Sequence, residues 1–171
     1  MNTQPLIASL ECFPDVLSKS VAGLSHDDAR FKPADGAWSI LEIVTHLADE
    51  EVEDFPARLR TTLADPIKQW NPIDPEGWAK QRNYNDGNLN EQIQRFMSLR
   101  KDSIAWLNSL TDPQWSNTFK HPKGDIKAGD LLAAWSAHDW LHLRQIAKRR
   151  FQLSQRHAGD YTTEYAGAWT A

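Results

Sequence analysis

His138 and His142 are the residues whose types and spacing most directly suggest chemistry. On a helix, four residues apart means one turn along the axis and about 40° around it. Two imidazoles placed this way can bind one metal ion from a single face. They share an arc with Leu131, Ala134, Trp135, Gln145 and Ile146, which turns them toward a helical interior. Two core histidines satisfied by backbone or water would leave the same pattern. A third histidine, His46, stands off the apolar stripe Ile40, Val44, Leu47 and Ala48 of its own segment, among Glu42, Asp49, Glu50 and Glu53. Read alone, it is a solvated histidine on an acidic face. It joins the other two only if its helix turns that face to a wet cleft they also line, because a catalytic metal needs one open coordination position. Glu42, Asp49 and Glu50 are then candidates to accept imidazole N–H groups or to act as general base.

The elements that must position these residues are helical. Leu6, Leu10, Phe13, Val16 and Leu17 recur at helical spacing and predict a first helix over Pro5 to Ser20. Gly23 ends it, and His26 to Gly36 reads as a loop. A second helix is predicted from Ser39 to Ala64, opened by Ser39 and Glu42 as a capping box and kinked or ended near Pro56. Asp65 to Gly87 is dense in breakers and reads as a long functional loop. It carries Trp70 and Trp78, which either cover the mouth of the bundle or simply pin the loop. A third helix follows over about Asn90 to Leu110, with Asn88 or Asn90 as its cap. Pro122 and Gly124 suggest a turn or hairpin within Phe119 to Ile126. The fourth helix, Gly129 to Phe151, is apolar almost all round from Leu131 to Trp135, the mark of a buried element. The expected fold is therefore all-α: a four-helix bundle with a long crossover loop. It forms a single domain over residues 1–171, with a core of about 5–151 and a C-terminal tail of 152–171.

Here the sequence resembles a known family. The run Trp38-Ser39-Ile40-Leu41-Glu42-Ile43-Val44-Thr45-His46-Leu47 resembles the first metal-ligand motif of the DinB-like (YfiT-like) superfamily. Ala137-His138-Asp139-Trp140-Leu141-His142-Leu143-Arg144-Gln145-Ile146 resembles its second, H-x3-H followed by Leu-Arg-Gln-Ile. The likeness runs roughly from Pro5 to Phe151. It implies a four-helix bundle with a divalent ion (nickel, zinc or iron) on His46, His138 and His142, and a homodimer. It also implies either S-transfer of a low-molecular-weight thiol or metal-dependent hydrolysis.

Composition narrows the remaining classes. With 19 basic and 23 acidic residues in 171, the net charge is −4, and no basic tract invites nucleic acid or an anionic membrane. One cysteine, Cys12, excludes an internal disulfide and any cysteine-based zinc cluster, and its place on the first helix reads as a buried thiol. The start Met1-Asn2-Thr3-Gln4-Pro5 has no signal-peptide character and no apolar run spans a bilayer, so a cytoplasmic location is expected. His26, His121 and His157 read as solvated. Trp135 and Trp140 read as core, and Arg144 and Gln145 as support for the site. Walker, dinucleotide and H-E-x-x-H motifs are absent.

The expected function is a metal-dependent enzyme acting on a small molecule, with the ion activating a thiol or water. Two alternatives stand beside it: a non-catalytic metal-binding or stress-associated bundle, and a metal-free interaction protein.

Overall fold

The computed structural model describes residues 1–33 and 36–170. Helix α1, Gln4–Val21, carries Pro5 in its first turn and buries Ile7, Leu10, Phe13, Leu17 and Val21. A short helix α2, His26–Arg30, replaces part of the loop expected over His26 to Gly36. Ser25 caps it, its Oγ accepting from the Asp28 N–H at 3.1 Å. Residues 34 and 35 of that expected loop lie outside the described residues.

The predicted second helix is two helices. In α3, Ile40–Glu53, the capping box is complete. The Glu42 N–H donates to Ser39 Oγ at 3.1 Å, and the Ser39 N–H donates to Glu42 Oε2 at 2.8 Å. The chain breaks at Asp54 (φ −121°, ψ −102°), and α4, Phe55–Ala64, restarts with Pro56 in its first turn. Proline is tolerated there because a first-turn N–H has no helical partner to lose.

The long connection holds a further helix, α5, Pro75–Gln81, and a 3-10 turn at Tyr84–Asp86. Pro75 starts α5, and Asp74 caps it through Oδ1, which accepts from the Gly77 N–H at 3.0 Å. Gly77 is needed here, since a Cβ would sit 1.9 Å from Asp74 Oδ2. Helix α6, Leu89–Ser109, is capped by Asn88. The hairpin β1, Thr118–His121, and β2, Gly124–Lys127, pairs antiparallel with Phe119 opposite Ile126. Helix α7, Ala128–Ala158, runs about two further turns into the expected tail and stops at Gly159, which takes φ 60°.

Helix α3 packs on α6, α1 packs on both α6 and α7, and α4 and α3 pack on α7. Two apolar clusters fill the bundle. One joins Phe13, Leu17, Ile43, Leu47, Phe96 and Ile146; the other joins Leu10, Leu59, Ile104, Leu132 and Trp135. The expectation that α7 is apolar all round does not hold: Leu131, Leu132 and Trp135 are buried, but Ala133 and Ala134 face out. Alanine is apolar yet small enough to sit at the surface at little cost. Cys12 is exposed rather than buried, and Trp140 is 42% exposed, with its N–H donating to Ser9 Oγ. No helix among the described residues is long and apolar enough to cross a membrane.

Ser39 also ties the start of α3 to the distant connection, donating from Oγ to Asn85 Oδ1 at 2.6 Å. Ser39→Ala removes the cap and strands the Asn85 acceptor. The expected loss is about 1–2 kcal/mol, a fall in Tm of about 2–8 °C by circular dichroism. An unchanged Tm would deny the cap a part in stability.

Candidate metal centre

The three candidate histidines come together. His46 Nε2 lies 3.1 Å from His142 Nε2, which lies 2.9 Å from His138 Nε2. One ligand atom from each lies within 4.8 Å of both others. His46 reaches the meeting point from α3, and the other two from successive turns of α7. The expected solvated acidic face on α3 is not there: this helix is buried on nearly every side, His46 included. Helix α6 and α7 flank it, and the connection through α5 folds over its acidic residues.

The geometry asks for a cation. A neutral imidazole nitrogen is either donor or acceptor, so three Nε2 atoms meeting at one place cannot all be satisfied by protons. One shared proton bridges two of them and leaves the third facing a lone pair. A tetrahedral, zinc-like ion bound at about 2.0–2.1 Å from each nitrogen would space them about 3.3–3.4 Å apart, so the separations of 3.1 and 2.9 Å would have to open by only a few tenths of an ångström. His142 Nδ1 donates to Gln145 Oε1 at 2.9 Å, which turns its Nε2 lone pair inward. His46 Nδ1 is buried without a hydrogen bond and sits 3.6 Å from Glu50 Oε1. Glu50 therefore faces the ring nitrogen without hydrogen-bonding it, at the place where a metal-binding histidine takes its supporting acceptor.

Electrostatics agree. Burial and then the neighbouring imidazoles push His46 down to about 2, and burial first holds His138 at about 3 and His142 at about 4. All three are therefore neutral ligands at neutral pH. Burial, then the charge of Asp54, pushes Glu50 up to about 9.

The imidazoles open onto a cleft of about 810 Å³, walled by Trp38, Glu50, Asp54, Phe55 and residues of the α5 region. Trp38 packs on His46 at 4.9 Å between ring centres, and Phe55 on His138 at 4.9 Å. Of the acidic candidates, Glu50 faces this cleft. Glu42 also borders it but is committed to the Ser39 cap and to Lys32 at 2.8 Å. Asp49 turns away into a clamp with Arg82, Arg95 and the Tyr84 hydroxyl.

Trp70 and Trp78 pin the connection and do not line the cleft. Trp70 stacks on Phe119 with ring centres 3.9 Å apart, and Trp78 lies under the Arg82 guanidinium. The wall is built instead by Ile73, Pro75, Glu76, Ala79 and Lys80. Arg144 borders a neighbouring pocket. His157 sits in the last turn of α7 rather than in a tail, paired with Asp28 at 2.8 Å.

A buried network beside the site escapes the sequence reading. Arg100 on α6 donates to both Asp139 oxygens at 2.6 and 2.9 Å, and its Nε donates to Glu51 Oε1 at 3.0 Å. Ser103 and the Trp135 indole also donate to Glu51. Glu51 follows His46 on α3, and Asp139 lies between the two α7 histidines. The guanidinium therefore ties together the two helices that carry the imidazoles. Its signal was an arginine on the apolar stripe of α6, between Phe96 and Ile104.

The sequence profile of the DinB superfamily matches residues 10–146, a span that holds all three histidines. The chain belongs to the DinB superfamily. Among DinB relatives, it is 25% identical over 152 residues to the "Putative metal-dependent hydrolase YfiT" of Bacillus subtilis, covering 88% of this chain and 83% of that one. A Geobacillus thermodenitrificans protein of the same designation is 25% identical over 147 residues, covering 84% and 82%. The solved structure of Bacillus subtilis YfiT, described as an unusual four-helix bundle, superposes with a TM-score of 0.80 at 22% identity. It covers 89% of this chain and 87% of that one. The DinB bundle expected from the sequence is thus the fold observed.

Proposed function

We propose that this DinB-superfamily protein is a metal-dependent enzyme that binds one divalent ion on His46, His138 and His142 and hydrolyses a small molecule in the adjoining cleft. The observation that carries this reading is the convergence of three neutral Nε2 atoms at the floor of an open cleft. A divalent ion held there supplies Lewis acidity and lowers the pKa of a water or small thiol that reaches it. The chain's own residues do the rest. Gln145 fixes the His142 ring by accepting from its Nδ1. Glu50, at the cleft wall, faces His46 Nδ1 and, kept protonated at neutral pH by burial, is placed to donate a proton to a leaving group. Trp38 and Phe55 keep water from the far side of the imidazoles.

The same ligands serve a thiol nucleophile, so S-transfer from a low-molecular-weight thiol is the variant that the test must separate. Protein purified without chelators is expected to hold one divalent ion per chain by elemental analysis. It should cleave members of an ester, amide and phosphoester panel, with turnover lost on chelation and restored by metal. Turnover that requires an added small thiol and an electrophile would replace hydrolysis by S-transfer. Stoichiometric metal without turnover in either assay would overturn the enzyme reading, and absence of metal binding would leave an interaction protein.

A further inference from the structure

Beside the metal centre lies a second pocket of about 280 Å³ with a different character. Arg144, Lys148 and Arg149 of α7 line it together with the indoles of Trp38 and Trp169, and no acidic residue does so among the described residues. This is a local basic site in a chain of net charge −4. Arg149 is committed to the backbone, its Nε donating to the Trp38 carbonyl at 2.8 Å, so it fixes the wall. Arg144 and Lys148 stand one turn apart at the surface. No carboxylate of the described residues lies within ion-pair distance of either.

The two pockets share a wall. Trp38 and Gln145 border both, and the oxygen of Gln145 holds the ring of His142 at 2.9 Å. A molecule can therefore lie with one end over the imidazoles and the other past Gln145 among the cations.

We propose that this pocket is an anion subsite, and that the small-molecule substrate carries a carboxylate or phosphate group which Arg144 and Lys148 receive. The placement of the reacting end rests on the metal-dependent function proposed above; the anion site is testable without it. Arginine and lysine at this spacing offer charge-assisted hydrogen bonds to two oxygens of one oxyanion. The indoles accept the neutral part of the same molecule.

The test titrates inorganic phosphate and, separately, succinate into the full chain in low-chloride buffer, read by calorimetry and tryptophan fluorescence. Saturable binding at one site is expected for at least one of them. It should weaken at least about tenfold in Arg144→Gln/Lys148→Gln, whose positions are exposed and do not threaten the fold. Trp169→Phe should diminish the fluorescence change and leave the calorimetric signal. Metal-stripped wild type should bind as the loaded protein does. Preference for phosphate or for succinate identifies the oxyanion. The proposal is overturned if neither anion binds saturably or if the double variant binds like wild type. It is also overturned if stripping the metal abolishes binding, since the anion would then sit on the metal itself. Failure of every hydrolysis assay leaves these results unchanged, so the two readings fall separately.

Discussion

His142→Ala is expected to lose divalent metal binding by on the order of a hundredfold or more, and to lose more than His46→Ala or His138→Ala. A supporting residue around a metal ligand is commonly worth 10–100-fold in affinity, and a direct ligand exceeds that. His142 Nε2 stands between the other two, 3.1 Å from His46 and 2.9 Å from His138. Without it, the remaining pair comes from two different helices, with ring centres 5.6 Å apart against 4.7 and 4.3 Å for the pairs that include His142. Gln145→Ala should cost about tenfold by freeing the His142 ring. The pH dependence distinguishes this site from an exposed cluster. Folded-state values of about 2, 3 and 4 lie below the ordinary histidine value, so protons compete with metal only in that low range. Affinity should stay nearly level from pH 8 to about 5. The apo protein behaves otherwise. Its unfolded state takes up protons below about 6.5 while the folded imidazoles do not, so apo stability falls as pH drops below that point. Competition against a chromophoric chelator, with circular dichroism on each apo variant, reads both effects. Level affinity across the three alanine variants would remove the histidines from the ligand set.

Arg100→Met is expected to destabilise the protein by about 3–5 kcal/mol, a fall in Tm of roughly 6–20 °C. The guanidinium is 1% exposed and neutralises two buried carboxylates, Glu51 and Asp139. Removing it leaves both charges unpaired in the interior, and that desolvation cost is the main loss. Burial already lifts Asp139 to about 6 even with its partner present. Neutralising the two acids in the Arg100→Met background, by Glu51→Gln and Asp139→Asn, should recover part of the stability. Recovery in that triple variant would show coupling through one network, whereas additive losses would show three independent contributions. Because Glu51 and Asp139 sit on the helices that carry the histidines, metal affinity should fall in Arg100→Met even where the fold survives. A small change in Tm would mean that the carboxylates find other partners.

What was legible in the sequence was what is local to one helix. Ser39 with Glu42, and His138 with His142, act over three and four residues, and each forms the contact its spacing predicts. What was not legible depends on a second element. Asp49 read as solvated because one helix's periodicity does not show what covers it. Its cover comes from Arg82 and Tyr84 in the connection and from Arg95 on α6. Helix α5 was hidden because Pro75 and Gly77 usually break structure, whereas here one opens the helix and the other admits its cap. Trp70 and Trp78 were left open between covering the mouth and pinning the loop, and that choice turned on partners, Phe119 and Arg82, that no spacing reveals.

The distance along the chain between His46 and His142, 96 residues, sets an order of events during synthesis. At ribosomal rates of 5–20 residues per second, roughly 5–20 s separate the emergence of the first imidazole from that of the last. Until His138 emerges, a nascent chain carries one of the site's three histidines, His46, and a single imidazole is a weak ligand. The chelating pair arrives on the last long helix, and His46 meets it only when that helix docks. At the proposed site, the full set of three imidazoles is therefore in place only after α3 and α7 have docked. A chain stalled before α7 lacks two of the three proposed ligands, His138 and His142.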